Sequence, residues 1–198
     1  MHKIIFLEGV SGVGKTTMAT ALLDKLQAMG YNAICKLEGD KSNPLDPFMG
    51  KYPSGVSLAA FCETYLQCWR SFMGKQSSKD AIMICDGTFL HHQINDLIRI
   101  YAVPEEFVAD YLVNLMSVIQ PLCPVLFYLE SSNVCQCLEH ARAARGQTPP
   151  TKEQITFWEN RKRLDLCVLS KLSIESHILN VDDRWKTTLE TIISYMIK

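Results

Sequence analysis

Short apolar runs alternate along the chain with longer segments in which apolar residues recur every three or four positions. A short apolar run between polar residues is typical of a buried β-strand, and the wider spacing is typical of an amphipathic helix. The predicted strands cover residues 4–7, 31–37, 81–85, 124–129 and 176–181. Because predicted helices separate them, we expect an α/β fold with a five-stranded, mostly parallel sheet and helices on both faces. The length of 198 residues suits a single domain over residues 1–198.

A glycine-rich loop follows the first predicted strand. It reads GVSGVGKT, the G-x-x-x-x-G-K-T pattern of a phosphate-binding loop (P-loop), and a helical pattern begins at Lys15. Glycines let backbone N–H groups approach phosphate oxygens, and the N-terminus of the helix favours the same anion. Lys15 would contact the β- and γ-phosphates, and the Thr16 hydroxyl would bind Mg²⁺. The predicted nucleotide-binding residues are Gly9, Ser11, Gly12, Val13, Gly14, Lys15, Thr16 and Thr17.

Acidic residues follow the second and third predicted strands. In such sheets the ligand lies beyond the carboxyl ends of the strands, so these acids are expected beside the P-loop. Asp86 follows the third strand and could hold Mg²⁺ through water; the alternative is an ordinary Asp-Gly turn. Glu38 and Asp40 end the second strand, and either could orient or deprotonate an acceptor hydroxyl.

Arginines that could neutralise phosphate charge lie just before a Gly/Pro break. Arg142 and Arg145 are three residues apart, so a helix end would present both guanidinium groups over the phosphates. We predict a lid-like segment at about residues 140–152 in which both arginines are catalytic. One residue of the basic run at 161–163 could join this lid, but the run is predicted to be a solvated helix face.

A predicted helix in the first half of the chain carries the candidate acceptor site. Gln67 and Arg70 are three residues apart and share one face, where they could bind an acceptor. The polar loop before this helix completes an acceptor-side segment of about residues 39–75. Tyr65 and Trp69 stand at helical spacing and are predicted to be core residues.

Composition and charge argue against several classes of function. The net charge is −1 with both signs mixed along the chain, so no basic surface for a nucleic-acid polymer is predicted. No apolar run approaches the ~20 residues needed to span a membrane, and the first run leads into the P-loop instead of forming a signal peptide. The eight cysteines lack a C-x-x-C pair and are predicted to be reduced core residues of a cytoplasmic protein. His91 and His92 are not predicted to bind a metal, because adjacent helix residues point apart.

These pieces together resemble the small P-loop kinases, the group that holds nucleoside monophosphate kinases, thymidylate kinase and deoxynucleoside kinases. The resemblance covers the whole chain and rests on GVSGVGKTT at 9–17, Glu38, Gln67, Arg70, Asp86, FYLE at 127–130, Arg142 and Arg145. It implies the strand order 2-3-1-4-5. In deoxynucleoside kinases the acid after the second strand resembles a general base for the sugar hydroxyl, a role that would fall to Glu38, and Gln67 and Arg70 would contact the acceptor.

Two features set this chain apart within that group. The third strand ends in Asp86-Gly87-Thr88, where these kinases usually carry Glu-Arg-Ser or Asp-Arg-Tyr, so the arginine that grips the acceptor or a phosphate is missing. The E-G-D after the second strand and the P-L-x-P-x-x-x-Y-L run at residues 121–129 look closer to a little-characterised group of P-loop kinase-like proteins.

The leading prediction is an ATP-dependent small-molecule kinase that uses Mg²⁺ and transfers the γ-phosphoryl group to a hydroxyl or phosphate acceptor. Its acceptor would be a nucleoside, a nucleotide or another hydroxyl compound such as a sugar or an antibiotic, and the choice between ATP and GTP stays open. The alternatives are a nucleotide-dependent switch or ATPase that acts on a protein partner, and a binding protein without the chemistry. The chain lacks the N-K-x-D of guanine-specific GTPases and the L-S-G-G-Q of transport ATPases. Kinases of this kind are often homodimers, although no exposed stripe in the sequence is diagnostic.

Overall fold

The computed structural model describes residues 2–38, 40, 45–48, 54–76, 80–182 and 184–196. The strands are β1 (Ile4–Glu8), β2 (Ala33–Lys36), β3 (Ile82–Asp86), β4 (Val125–Glu130) and β5 (Glu175–Asn180). The helices are α1 (Lys15–Ala28), α2 (Leu58–Gln76), α3 (His91–Arg99), α4 (Glu105–Ile119), α5 (Val134–Ala144), α6 (Lys152–Leu169) and α7 (Trp185–Met196), with a short 3₁₀ turn at Gln120–Leu122.

The five strands form one parallel sheet in the order β2-β3-β1-β4-β5. The predicted α/β fold and strand order are therefore confirmed. Strands β1 and β3 are buried along their whole length, as their unbroken apolar runs predict, and β4 is buried except at Glu130. Strand β5 alternates between exposed and half-buried residues because it lies at the edge of the sheet.

The sheet separates two apolar cores. One contains Phe6, Tyr65, Trp69 and Tyr128, and helices α2, α4 and α6 contribute to it. The other lies against the opposite face and is built mainly from α1 and α7. Tyr65 and Trp69 are fully buried, so their predicted core role is confirmed.

Two expectations from the sequence are wrong. Arg161, predicted to be solvated, is only 1% exposed. All eight cysteines are free thiols, but Cys85 alone is buried, while Cys123 and Cys167 are exposed. In the described part of the chain, no helix is long and apolar enough to cross a membrane.

Candidate functional site

The P-loop connects β1 to α1 and is packed closely against two other elements. Gly9 and Gly12 have φ values of 144° and 82°, in the region that favours glycine. A Cβ atom at Gly9 would lie 2.5 Å from the carbonyl oxygen of Leu129 in β4, and one at Gly12 would collide with the carbonyl of Cys137 in α5. The local sequence therefore needs glycine at both positions, and their neighbours hold the loop in one shape.

Lys15 lies folded over the loop. Its side chain is almost buried, and Nζ donates hydrogen bonds to the carbonyl oxygens of Gly9 at 3.0 Å and Val10 at 3.1 Å. The ammonium group is thus held above the backbone that a phosphate would approach.

A cavity lies beside the P-loop, and we name it the P-loop cavity. It is lined by Ser11, Gly12, Gly14, Lys15, Thr16, Thr17, Glu38, His140, Ala141 and Arg145. Val13 faces the core instead, so only its backbone could serve a nucleotide.

Thr16 and Asp86 meet at the edge of this cavity. The Thr16 hydroxyl donates to Asp86 Oδ2 at 2.6 Å, while Asp86 Oδ1 is buried without a hydrogen-bond partner in the described structure. Burial raises the pKa of Asp86, whereas the Thr16 hydroxyl and Lys15 favour its carboxylate. A buried oxygen without a partner, beside a hydroxyl, fits a hard divalent cation.

No group of three or more His, Cys, Asp or Glu side chains among the described residues could hold a metal ion alone. A cation bound by Thr16 and Asp86 would therefore take its other ligands from water and phosphate, which is the usual arrangement for Mg²⁺.

Of the two candidate acids after β2, the structure brings Glu38 to the cavity. Its backbone N–H donates to Asp86 Oδ2 at 3.3 Å, and its Oε1 lies 3.5 Å from His91 Nε2 and 3.9 Å from His92 Nε2. Asp40 is exposed, and its N–H donates to the carbonyl oxygen of Leu37. Gly39 between them lies outside the described residues.

His91 lies in the site although the sequence did not predict it there. Its ring stacks on Trp158 of α6, with centroids 5.2 Å apart, and its Nδ1 lies 3.3 Å from the carbonyl oxygen of Gly9. Burial, together with the positive charges of Lys15, Arg161 and His92, holds the pKa of His91 well below its usual range. A neutral imidazole donates from one ring nitrogen at a time, so its N–H can reach either the carbonyl oxygen of Gly9 or the carboxylate of Glu38. The available signal was a histidine pair five residues after Asp86.

Glu8, at the end of β1, was also missed. Its carboxylate accepts the N–H groups of Phe89 at 2.7 Å and His91 at 3.1 Å. These groups lie at the N-terminus of α3, where helix N–H groups lack partners inside the helix. Burial raises the pKa of Glu8 to about 7, although the N–H groups of the turn and Lys15 favour the ionised form.

Arg161 holds the same turn from the other side. Its guanidinium donates to the carbonyl oxygens of Leu90 at 3.0 Å and His91 at 3.3 Å, and pairs with Asp165 at 2.7 Å. Residues 89–91, which we name the clamped turn, are thus fixed through their N–H groups by Glu8 and through their carbonyl groups by Arg161. The clamped turn thereby positions the side chain of His91 against Glu38.

The two lid arginines differ in position. Arg145, at the C-terminal end of α5, lines the cavity together with Lys15. Arg142 turns away and donates to the carbonyl and hydroxyl oxygens of Thr148. Of the two arginines expected over the phosphates, Arg145 lines the cavity at the P-loop and Arg142 does not.

The structure does not bring Gln67 and Arg70 to the P-loop cavity. Both are exposed on α2, where they contact Glu63. The reason is the helix period, because Tyr65 and Trp69 fix the buried face and Gln67 lies about 200° around the helix from both of them. Much of the loop before α2, including residues 41–44 and 49–53 of the predicted acceptor-side segment, lies outside the described residues.

Comparisons with known proteins agree with this architecture. The family model of adenylylsulphate kinase matches residues 1–43, the part that contains the P-loop. No curated protein matches the chain in sequence.

Two solved structures resemble nearly the whole chain. The deoxyadenosine kinase of M. mycoides with bound dATP gives a TM-score of 0.57 at 15% identity, over 98% of this chain and 100% of that chain. The YorR protein of Bacillus subtilis, in complex with phosphorylated GDP, gives 0.54 at 14% identity, over 96% of this chain and 95% of that chain. Likeness at this level of identity concerns the fold, and the chain shares its overall fold with these two structures.

Proposed function

We propose that the protein is a Mg·ATP-dependent phosphotransferase that acts on a hydroxyl group of a small molecule. One observation carries the proposal: Lys15, the Thr16–Asp86 pair, Glu38 and Arg145 converge on a single cavity. Phosphoryl transfer needs a phosphate cradle, cations on the moving charge and a group that positions the acceptor. The fold shared with P-loop kinases supports the same reading.

Each residue has a role that follows from its position. The P-loop would bind the phosphates, and Lys15 would exchange its two backbone carbonyl partners for phosphate oxygens. Thr16 and Asp86 would hold Mg²⁺, which when bound neutralises charge on the phosphate oxygens. Arg145 would contact the γ-phosphoryl group as negative charge shifts during transfer.

Glu38 would orient the acceptor hydroxyl and accept its proton. The acceptor oxygen would form a bond to the γ-phosphorus, the bond to the β–γ bridging oxygen would break, and ADP would leave. In the tautomer with its proton on Nε2, the imidazole of His91, held by the clamped turn, would donate to the carboxylate of Glu38.

The test is an ADP-release screen with Mg·ATP or Mg·GTP against nucleosides, nucleotides, sugars and antibiotic alcohols. We expect one class of acceptor to raise turnover well above background hydrolysis. Lys15→Ala should reduce that turnover by about 10²-fold or more, because a charge on the transferring phosphoryl is lost. If no acceptor raises turnover, or Lys15→Ala turns over like the wild type, the proposal is wrong. A stimulating protein partner would instead favour the switch or ATPase.

A further inference from the structure

A second cavity lies beside the P-loop cavity and is rich in arginine. It is lined by Ser11, Arg99, Leu138, Ala141, Arg142, Arg145, Gln147, Pro150, Gln154 and Trp158. We name it the arginine cavity. Its three cationic side chains come from the ends of α3 and α5, and among the described residues none of its lining side chains is acidic.

The guanidinium of Arg99 is held by stacking. It lies 4.1 Å from the ring centroid of Phe157 and 5.8 Å from that of Trp158, both on α6. Stacking on a ring face leaves the N–H edge of a guanidinium available for an anion. The nearby acid is Asp96, one turn earlier on α3, and burial raises its pKa to about 6 although His92 and Arg99 favour its ionised form.

The arginine cavity adjoins the place where the phosphoryl group would be transferred. Ser11 and Arg145 line both cavities. Trp158, on its wall, stacks on His91, whose other side faces Glu38. An anion here would therefore lie next to the nucleotide phosphates without replacing them, on the same side as the proposed base.

Three guanidinium groups line this cavity, and none of its described lining side chains is acidic, which favours a doubly charged oxyanion bound in a bidentate manner. Arg145, which also lines the P-loop cavity, would be shared between this anion and the γ-phosphoryl group. We propose that the arginine cavity binds a phosphate or sulfate ester of the acceptor, so that the acceptor is an anionic hydroxyl compound. The inference rests on the proposed function, and it narrows the acceptor to nucleoside monophosphates, sugar phosphates or their sulfate counterparts. Neutral nucleosides, sugars and antibiotics are disfavoured.

Binding can be measured without turnover. The full chain, with its P-loop filled by Mg²⁺ and β,γ-imido-ATP, is titrated calorimetrically with inorganic phosphate and, separately, sulfate. We expect Arg99→Gln to weaken binding of the preferred anion roughly tenfold or more, the effect of losing one charge-assisted contact. Arg163→Gln, an exposed arginine on α6 that pairs with Glu105, is the matched control and should bind like the wild type. Absent binding to the filled wild type, or equal binding by Arg99→Gln, would overturn the inference.

Turnover separates this inference from the proposed function. Acceptors are compared in pairs, each neutral hydroxyl compound with its phosphate and its sulfate ester. We expect only the ester members to raise ADP release, and Arg99→Gln to raise the KM for the acceptor about tenfold while the KM for ATP stays constant. Neutral acceptors that work equally well, with an unchanged KM in Arg99→Gln, would refute the arginine cavity and leave the kinase intact. If no acceptor works, the proposed function fails, and the calorimetric titration still decides whether the cavity binds the anion.

Discussion

Replacing Arg161 by methionine tests the clamped turn. The side chain is buried, and it pairs with Asp165, which is buried as well. Arg163, two residues later on the same helix, is its natural control, because its side chain is 63% exposed and pairs with Glu105. The two substitutions remove the same group from buried and solvated positions of one helix.

The expected loss follows from what Arg161→Met leaves behind. Among the described residues, Asp165 would keep the Tyr128 hydroxyl as its one hydrogen-bond partner, and the carbonyl groups of Leu90 and His91 would lose a charged donor. Breaking a buried ion pair by removing one partner costs about 3–5 kcal/mol, so we expect a loss of about 4 kcal/mol in the free energy of unfolding. With a urea m-value of about 2.5 kcal/mol/M, the midpoint should fall by about 1.6 M. Arg163→Met should leave it nearly unchanged.

The free energy of unfolding is measured by urea unfolding followed by circular dichroism. Repeating the measurement at two pH values provides an internal check. Burial raises the pKa of Asp165 and Arg161 opposes that shift. Without Arg161 the carboxyl group of Asp165 takes up a proton more readily, and a protonated carboxyl group leaves no buried charge. The loss in free energy of unfolding caused by Arg161→Met should therefore be smaller at pH 5 than at pH 8. The double variant Arg161→Met, Asp165→Leu should recover much of the stability, since no unpaired charge remains. A loss in Arg161→Met no larger than that in Arg163→Met would refute the clamp.

Further predictions concern the site itself. Glu38→Gln should lower kcat by about 10²–10⁴-fold, while Asp40→Asn should change kcat little. Steady-state kinetics test this, and the reverse result would make Asp40 the base. Arg145→Gln should lower kcat more than it weakens ATP binding, and more than Arg142→Gln does; equal effects would mean that both arginines reach the phosphates in the working enzyme. Burial raises the pKa of Glu8 from 4.5 to about 7, so the folded state loses stability as pH rises through that range. Relative to Glu8→Gln, the wild type should lose about 3 kcal/mol between pH 4.5 and 7 in urea titrations, and parallel pH profiles would contradict this.

Features that depend on neighbouring residues could be predicted from the sequence. The P-loop is one continuous pattern between a strand and a helix, and the structure keeps it as one unit. Asp86 could be placed beside Thr16 because parallel strands end at the same edge of the sheet. The strand order came from the resemblance to P-loop kinases, not from the pattern of residues.

Features that depend on distant partners could not be predicted in this way. Arg161 contacts Leu90, which is 71 residues away, so its position in a basic run indicated a solvated face. His91 is positioned by the carbonyl group of Gly9, 82 residues earlier, and by the ring of Trp158 on α6. Gln67 is different, because the period set by Tyr65 and Trp69 already pointed it away from the core.

The central claim is that the γ-phosphoryl group passes to an acceptor and not to water. Its most direct test incubates the protein with γ-³²P-labelled ATP, Mg²⁺ and the acceptor that best stimulates ADP release, and then separates the products. We expect one labelled acceptor molecule for each ADP, in amounts that Lys15→Ala nearly abolishes. Label found only in inorganic phosphate, in the same amount with and without the acceptor, would contradict it.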